Sequence, residues 1–204
     1  MNWEKQLLEI EKDFGFHKER DWKPAVDLVN KLLTEYPDDV ELNIRAIYLL
    51  HNILVEEEYP NEEQNRMVDL LQEWFKQSKE KFLENAEYLF FIGKILHIAE
   101  WYFGLEDNRL ALEFQKKAME KEPGNLLYEW AYRLSCQGDI VEGYLAHQII
   151  EYDKDKVNWL KIKGFPGGYV IEHLKMSNEE YKAKASQLRT LLFYIRKHTR
   201  KDIL

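Results

Sequence analysis

Cysteine is nearly absent from this chain. Cys136 is the only one in 204 residues, which excludes an intramolecular disulfide and a metal site built from cysteines. Glycine and proline are scarce as well, at 9 and 5 residues, a composition that argues against disorder and against an all-β fold. Long apolar runs are missing too: the most apolar stretch, Tyr88 to Tyr102, is broken by Lys94, His97 and Glu100 and does not read as a membrane span. The opening MNWEKQLLEIEKD carries charge at once and has no apolar segment of the length a secretory leader needs. These absences set the expectation of a cytoplasmic protein with no membrane partner.

Chemical motifs are equally thin. The six histidines, His17, His51, His97, His147, His173 and His198, stand singly, with no pair four apart of the kind HExxH metal sites require. The glycine-rich stretch KGFPGG at Lys163 to Gly168 lacks the lysine and hydroxyl residue of a phosphate loop, and no apolar strand precedes it. It reads as an irregular loop separating the body of the chain from its last helix. No catalytic residue, metal or cofactor is nominated, so the expectation is a protein that is not an enzyme; the alternative is an enzyme on a helical scaffold with an unrecognised Asp/Glu/His site.

What is present is enough apolar material for one sizeable core, 45% hydrophobic and 14% aromatic, punctuated as helices. Pro24 suits the first turn of a helix that ends before Pro37. Asp38 or Asp39, Asn85, and Asp107 or Asn108 are placed to cap later helices, and Pro60 and Asn61 open another. Asp139 with Glu142, and Ser177 with Glu180, have capping-box spacing; the second would start a final helix with an apolar stripe of Tyr181, Ala185, Leu188, Leu192 and Ile195. The predicted core is Leu28, Leu32, Leu50, Leu71, Trp74, Ile95, Ile98, Ala111, Ala118, Ala131, Leu134, Leu188 and Leu192.

The segment ALEFQKKAMEKEPG, Ala111 to Gly124, resembles the second helix of a tetratricopeptide repeat. Ile95, Ile98, Ala99 and Tyr102 supply the apolar positions of the helix before it, and Leu127, Trp130, Ala131 and Leu134, followed by Gly138 and Asp139, begin a further unit in which Gly143 and Asp155 replace alanine and proline. Ala25, Val29, Leu32 and Pro37 repeat the alanine-to-proline spacing. The resemblance implies an all-α fold of stacked antiparallel helix pairs in a right-handed array: one domain, with the array over 1–162, divergent at 40–90, a loop at 163–168 and a capping region at 169–204. It also implies a groove lined by the first helix of each pair. The family's contact positions fall on Gly93, Leu96, Glu100 and Phe103, then on Asn125, Tyr128, Tyr132 and Ser135. Glu100, Phe103, Asn125, Tyr128 and Tyr132 have the side chains best suited to recognition, although Phe103 and Leu96 also suit packing between helices.

Charge is unevenly distributed. From Lys175 onward there are 8 basic and 3 acidic residues, a net of +5, which leaves −13 on residues 1–174 against −8 for the whole chain. An acidic body repels nucleic acid and attracts basic proteins, so the expected partner is a protein or peptide, basic in character. In size and charge the chain is also similar to bacterial immunity proteins, which neutralise a toxin by binding it. The basic end, with Arg189, Arg196, Lys197, Arg200 and Lys201, offers the alternative of an adaptor that touches RNA; docking of that helix on the acidic array is the simpler reading.

Overall fold

The computed structural model describes the main chain of residues 3–14, 21–136 and 138–199, and the side chains of all of these except 189–199. The described residues form ten α-helices and one short 3-10 helix, with no strand among them. They are α1 (Trp3–Glu11), α2 (Lys23–Glu35), α3 (Val40–Glu56), α4 (Asn61–Phe82), α5 (Ala86–Ala99), the 3-10 helix Glu100–Phe103, α6 (Arg109–Lys121), α7 (Leu126–Ser135), α8 (Ile140–Tyr152), α9 (Lys154–Lys161) and α10 (Phe165–Thr199).

Most of the starts follow from local chemistry. The Asp39 carboxylate accepts from the Leu42 amide at 3.0 Å, Asn85 from Tyr88 at 2.9 Å and Asp139 from Glu142 at 2.7 Å, each satisfying an amide that the first turn leaves without a helical partner. Pro24 lies in the first turn of α2, where its missing amide costs nothing.

The last helix departs from the expectation. It begins at Phe165, so Ser177 is an interior residue rather than a cap, and the irregular segment shrinks to Ile162, Lys163 and Gly164. Pro166 is compatible with a helix start for the same reason as Pro24. Gly167 is required by packing, because a Cβ there would collide with the Leu160 carbonyl. Of the three glycines in this segment, Gly164, at φ 64°, is the one that uses the left-handed freedom of glycine. Gly167 therefore records close approach of α9 to the start of α10 rather than a loop. Leu188 is also not a core residue, being 49% exposed; the side chains of Leu192, Ile195, Arg189, Arg196 and Lys197, and the whole of Arg200 and Lys201, lie outside the described residues. Leu28, Ile98 and Leu134 are half-buried, while the other predicted core positions are buried as expected.

Successive helices pack side by side: α5 on α6, α6 on α7 and α7 on α8, with α3 against both α4 and α5, and α10 against α8. Small residues set the separation; Ala111 and Ala118 of α6 are fully buried, and a Cβ on Gly93 of α5 would sit 2.7 Å from Gln115 Nε2. The face shared by α1, α3 and α5 is covered by the chain itself. Trp159 of α9 stacks on Phe91 of α5 at 5.8 Å. Lys163 Nζ reaches Glu41 of α3 at 2.6 Å and Glu87 of α5 at 2.8 Å, while Glu11 of α1 receives two 2.8 Å hydrogen bonds from Arg45 of α3 beside Gly164.

Candidate functional site

Beyond this contact α10 stands away from α3 and α5 and leaves a hollow of about 330 Å³. On α3 the residues facing it, Tyr48, His51, Asn52, Val55 and Glu56, recur at three- and four-residue intervals, and so do Phe165, Tyr169 and Glu172 on α10. Ile95 and Ile98 of α5 supply an apolar wall.

The polar groups inside are unusual. His51 is 7% exposed, its ring stacked on Phe103 at 6.2 Å and edge-on to Tyr102 at 6.0 Å. Burial lowers its pKa to about 4, so the imidazole is neutral at pH 7. Its Nε2 has no hydrogen-bond partner among the described residues, and neither has Nδ2 of Asn52. The Tyr48 hydroxyl is satisfied, donating to the Phe91 carbonyl at 2.7 Å, and Tyr169 is pushed up to about 12 by burial with the Glu56 carboxylate adding to it. Glu172 pairs at 2.8 Å with Lys175, both well exposed; Glu56 has no ion pair among the described residues.

A second polar region lies deeper. Lys94 of α5 is 1% exposed, with its Nζ 4.7 Å from the Trp130 ring, and the Trp130 indole donates to Glu142 at 2.7 Å. Burial lowers Lys94 to about 7, only partly opposed by the Glu142 charge. His173 of α10 is lowered to about 4, first by burial and then by the positive charges of Lys94 and His97. A hollow of about 510 Å³ between the α7–α8 turn and α10 reaches Glu142, His173 and Ser177, with Glu180 and Lys184 also on its lining. Lys94 borders neither hollow, so its amine is not presented to a ligand in either. No group of three or more His, Cys, Asp or Glu side chains among the described residues is arranged to hold a metal ion, and no described helix is long and apolar enough to cross a membrane.

The five residues chosen from the sequence fall in two places. Phe103 is 5% exposed and forms the wall behind His51, also meeting Phe75 edge-on at 5.2 Å; half-buried Glu100 opens the same 3-10 helix. The other three belong to the α7 region. Asn125 is the N-cap of α7, accepting from the Leu127 amide at 3.2 Å and donating to Glu122 at 2.9 Å. Tyr128 is 3% exposed and lies on Phe90, with ring centroids 4.9 Å apart, whereas Tyr132 is half-buried beside Cys136. The buried pair packs the interior, Phe103 against His51 of α3 and Phe75 of α4, and Tyr128 against Phe90 of α5. The residues that line the hollow were not selected. Their trace in the sequence is a polar pair, His51 and Asn52, inside the apolar run YLLHNILV, just as Lys94 interrupts FFIGKILHI.

No protein-family model, curated protein or solved structure matches this chain. Burial separates the two tyrosines: Tyr128→Leu is expected to lower stability by about 1–2 kcal/mol through lost ring packing, and Tyr132→Leu by less than about 0.5 kcal/mol. Urea denaturation of the two variants checks this, and equal losses would contradict the assignment of Tyr128 alone to the core.

Proposed function

We propose that this protein is a non-catalytic binding module that recognises a basic partner protein through its acidic surface, in the manner of a bacterial immunity protein neutralising a basic toxin. The observation that carries this reading is the charge imbalance, 37 carboxylates against 29 lysines and arginines, with −13 concentrated in residues 1–174. Such a surface accelerates encounter with a positive one and disfavours nucleic acid. The packing of α5 on α6, α6 on α7 and α7 on α8, with α3, α5 and α7 in contact by turns, supports the tetratricopeptide-like plan. Because α9 and the start of α10 cover the face that would hold an extended peptide, the partner meets the module as a folded surface. Sealing of Lys94 away from both hollows favours binding over catalysis.

The test is kinetic. With the natural partner purified by cross-linking and affinity capture, the association rate should fall at least tenfold between about 20 mM and 500 mM salt, as attraction between exposed charges is screened. A neutral or acidic partner, or a rate indifferent to salt, would overturn the proposal.

A further inference from the structure

We infer that the hollow between α3, α5 and α10 receives an arginine side chain of the partner. This rests on the reading that the partner is a basic protein, and it names the group on which recognition turns. Four features of the hollow converge on a guanidinium. Its walls are apolar where Val55, Ile95 and Ile98 contribute, which suits the three-methylene stem of arginine. The faces of Phe165 and Tyr169 offer planar surface for a delocalised cation to stack on. Glu56 and Glu172 place carboxylates on the lining; Glu56 has no cation partner among the described residues, and the exposed Lys175 holding Glu172 is easily exchanged.

The fourth feature is decisive between ligand classes. His51 is more than nine-tenths buried and lines the hollow with Asn52; its Nε2 and the Nδ2 of Asn52 are buried without a hydrogen-bond partner among the described residues, and a turn of each side chain brings its polar edge to a ligand. Buried polar atoms left unpaired cost free energy that a complementary ligand recovers. A neutral imidazole whose proton is on Nδ1 accepts through Nε2, and the amide oxygen of Asn52 accepts when that group is turned toward the ligand. A guanidinium carries five N–H donors in a rigid fork and meets these acceptors and a carboxylate together. An anionic ligand would be repelled by Glu56 and Glu172, a purely aliphatic one would leave His51 and Asn52 unpaired, and a lysine ammonium lacks the planar fork.

The experiment uses the full chain and a defined probe, acetyl-Gly-Arg-Gly-amide, followed by NMR of the histidine ring C–H groups and compared with the same peptide carrying neutral, isosteric citrulline. The expected result is a saturable shift of the His51 signals, with citrulline binding at least about tenfold more weakly, the difference a partly enclosed charge pair contributes. Glu56→Gln combined with Glu172→Gln should weaken the arginine peptide about tenfold, and Val55→Trp, at a position 49% exposed and so tolerant of bulk, should abolish its binding by filling the space. Equal binding of the two peptides, absence of any shift at His51, or variants that bind like the parent would each overturn the inference. The two peptides are compared on the unmodified protein, so that result stands even if a variant folds poorly. Failure here with salt-dependent binding of the whole partner intact removes the pocket alone; success here with a neutral natural partner removes the broader reading alone.

Discussion

Replacing Arg45 with Met is expected to cost about 3–5 kcal/mol, because it strands the Glu11 carboxylate inside the protein. Both side chains are almost fully buried, 2% and 3% exposed, and they meet through two parallel hydrogen bonds of 2.8 Å from Nε and Nη2. Burial nevertheless raises the pKa of Glu11, outweighing the attraction of Arg45 and the amide of Phe165 that also reaches the carboxylate. The pair thus sits at the limit of what the interior tolerates, and loss of one member leaves a group with no solvent and no counter-ion. Around it Glu41 lies 3.7 Å from Arg45 and 2.6 Å from Lys163, which in turn reaches Glu87. One cluster thereby ties α1, α3, α5 and the start of α10. Urea denaturation should show the large loss in the single variant and recovery of much of it in Glu11→Leu/Arg45→Met, since two apolar groups leave no charge uncompensated. A loss under about 1 kcal/mol in the single variant would mean that the pair is not what holds these helices.

Lys94→Met should act in the opposite direction and stabilise the protein at pH 7 by about 2–3 kcal/mol, roughly 5–10 °C in Tm for a chain of this size. Lys94 is buried against Trp130 without an ion pair among the described residues, and its pKa falls from 10.5 to about 7. A base depressed in the folded state binds fewer protons there than in the unfolded chain between those two values. Stability of the parent must therefore decline as pH falls from about 10.5 to about 7 and level off below, at up to about 1.4 kcal/mol per pH unit. In the Met variant that part of the pH dependence should vanish. Parallel curves for the two proteins between pH 7 and 10 would show that the ammonium is solvated after all.

The residues that were legible in the sequence are those whose structural role is settled within a turn or two. Asp39, Asn85 and Asp139 each bond the amide three positions on, and the alanines of α6 sit on one stripe, so helix positions and much of the core follow from spacing alone. The start of α10 was not legible, because the reason for Gly167 is the Leu160 carbonyl and the reason for Gly164 is the Glu11–Arg45 pair, neither of which adjoins it in sequence in a recognisable pattern. The candidate site was legible only in part. Phe103 and Glu100 were picked for a groove, yet they stand behind or beside a cavity whose walls come from distant parts of the chain, α3 and α10, beside the clasp of Lys163 on Glu41, 122 positions apart. His51, Asn52 and Lys94 showed as polar interruptions of apolar helices, a pattern that says a polar group is buried but not what it faces.

That long-range clasp changes how the chain comes to life. In an open array of helix pairs each unit rests only on its neighbours, and order can spread from wherever it begins. Here the aromatic surface of α3 and α5 waits for Trp159, Lys163 and Phe165, which are synthesised well after it. Until they are made, the nascent chain carries an uncovered sticky flank, and afterwards α1, α3, α5 and the start of α10 are buckled together, so that these helices should come apart as a unit.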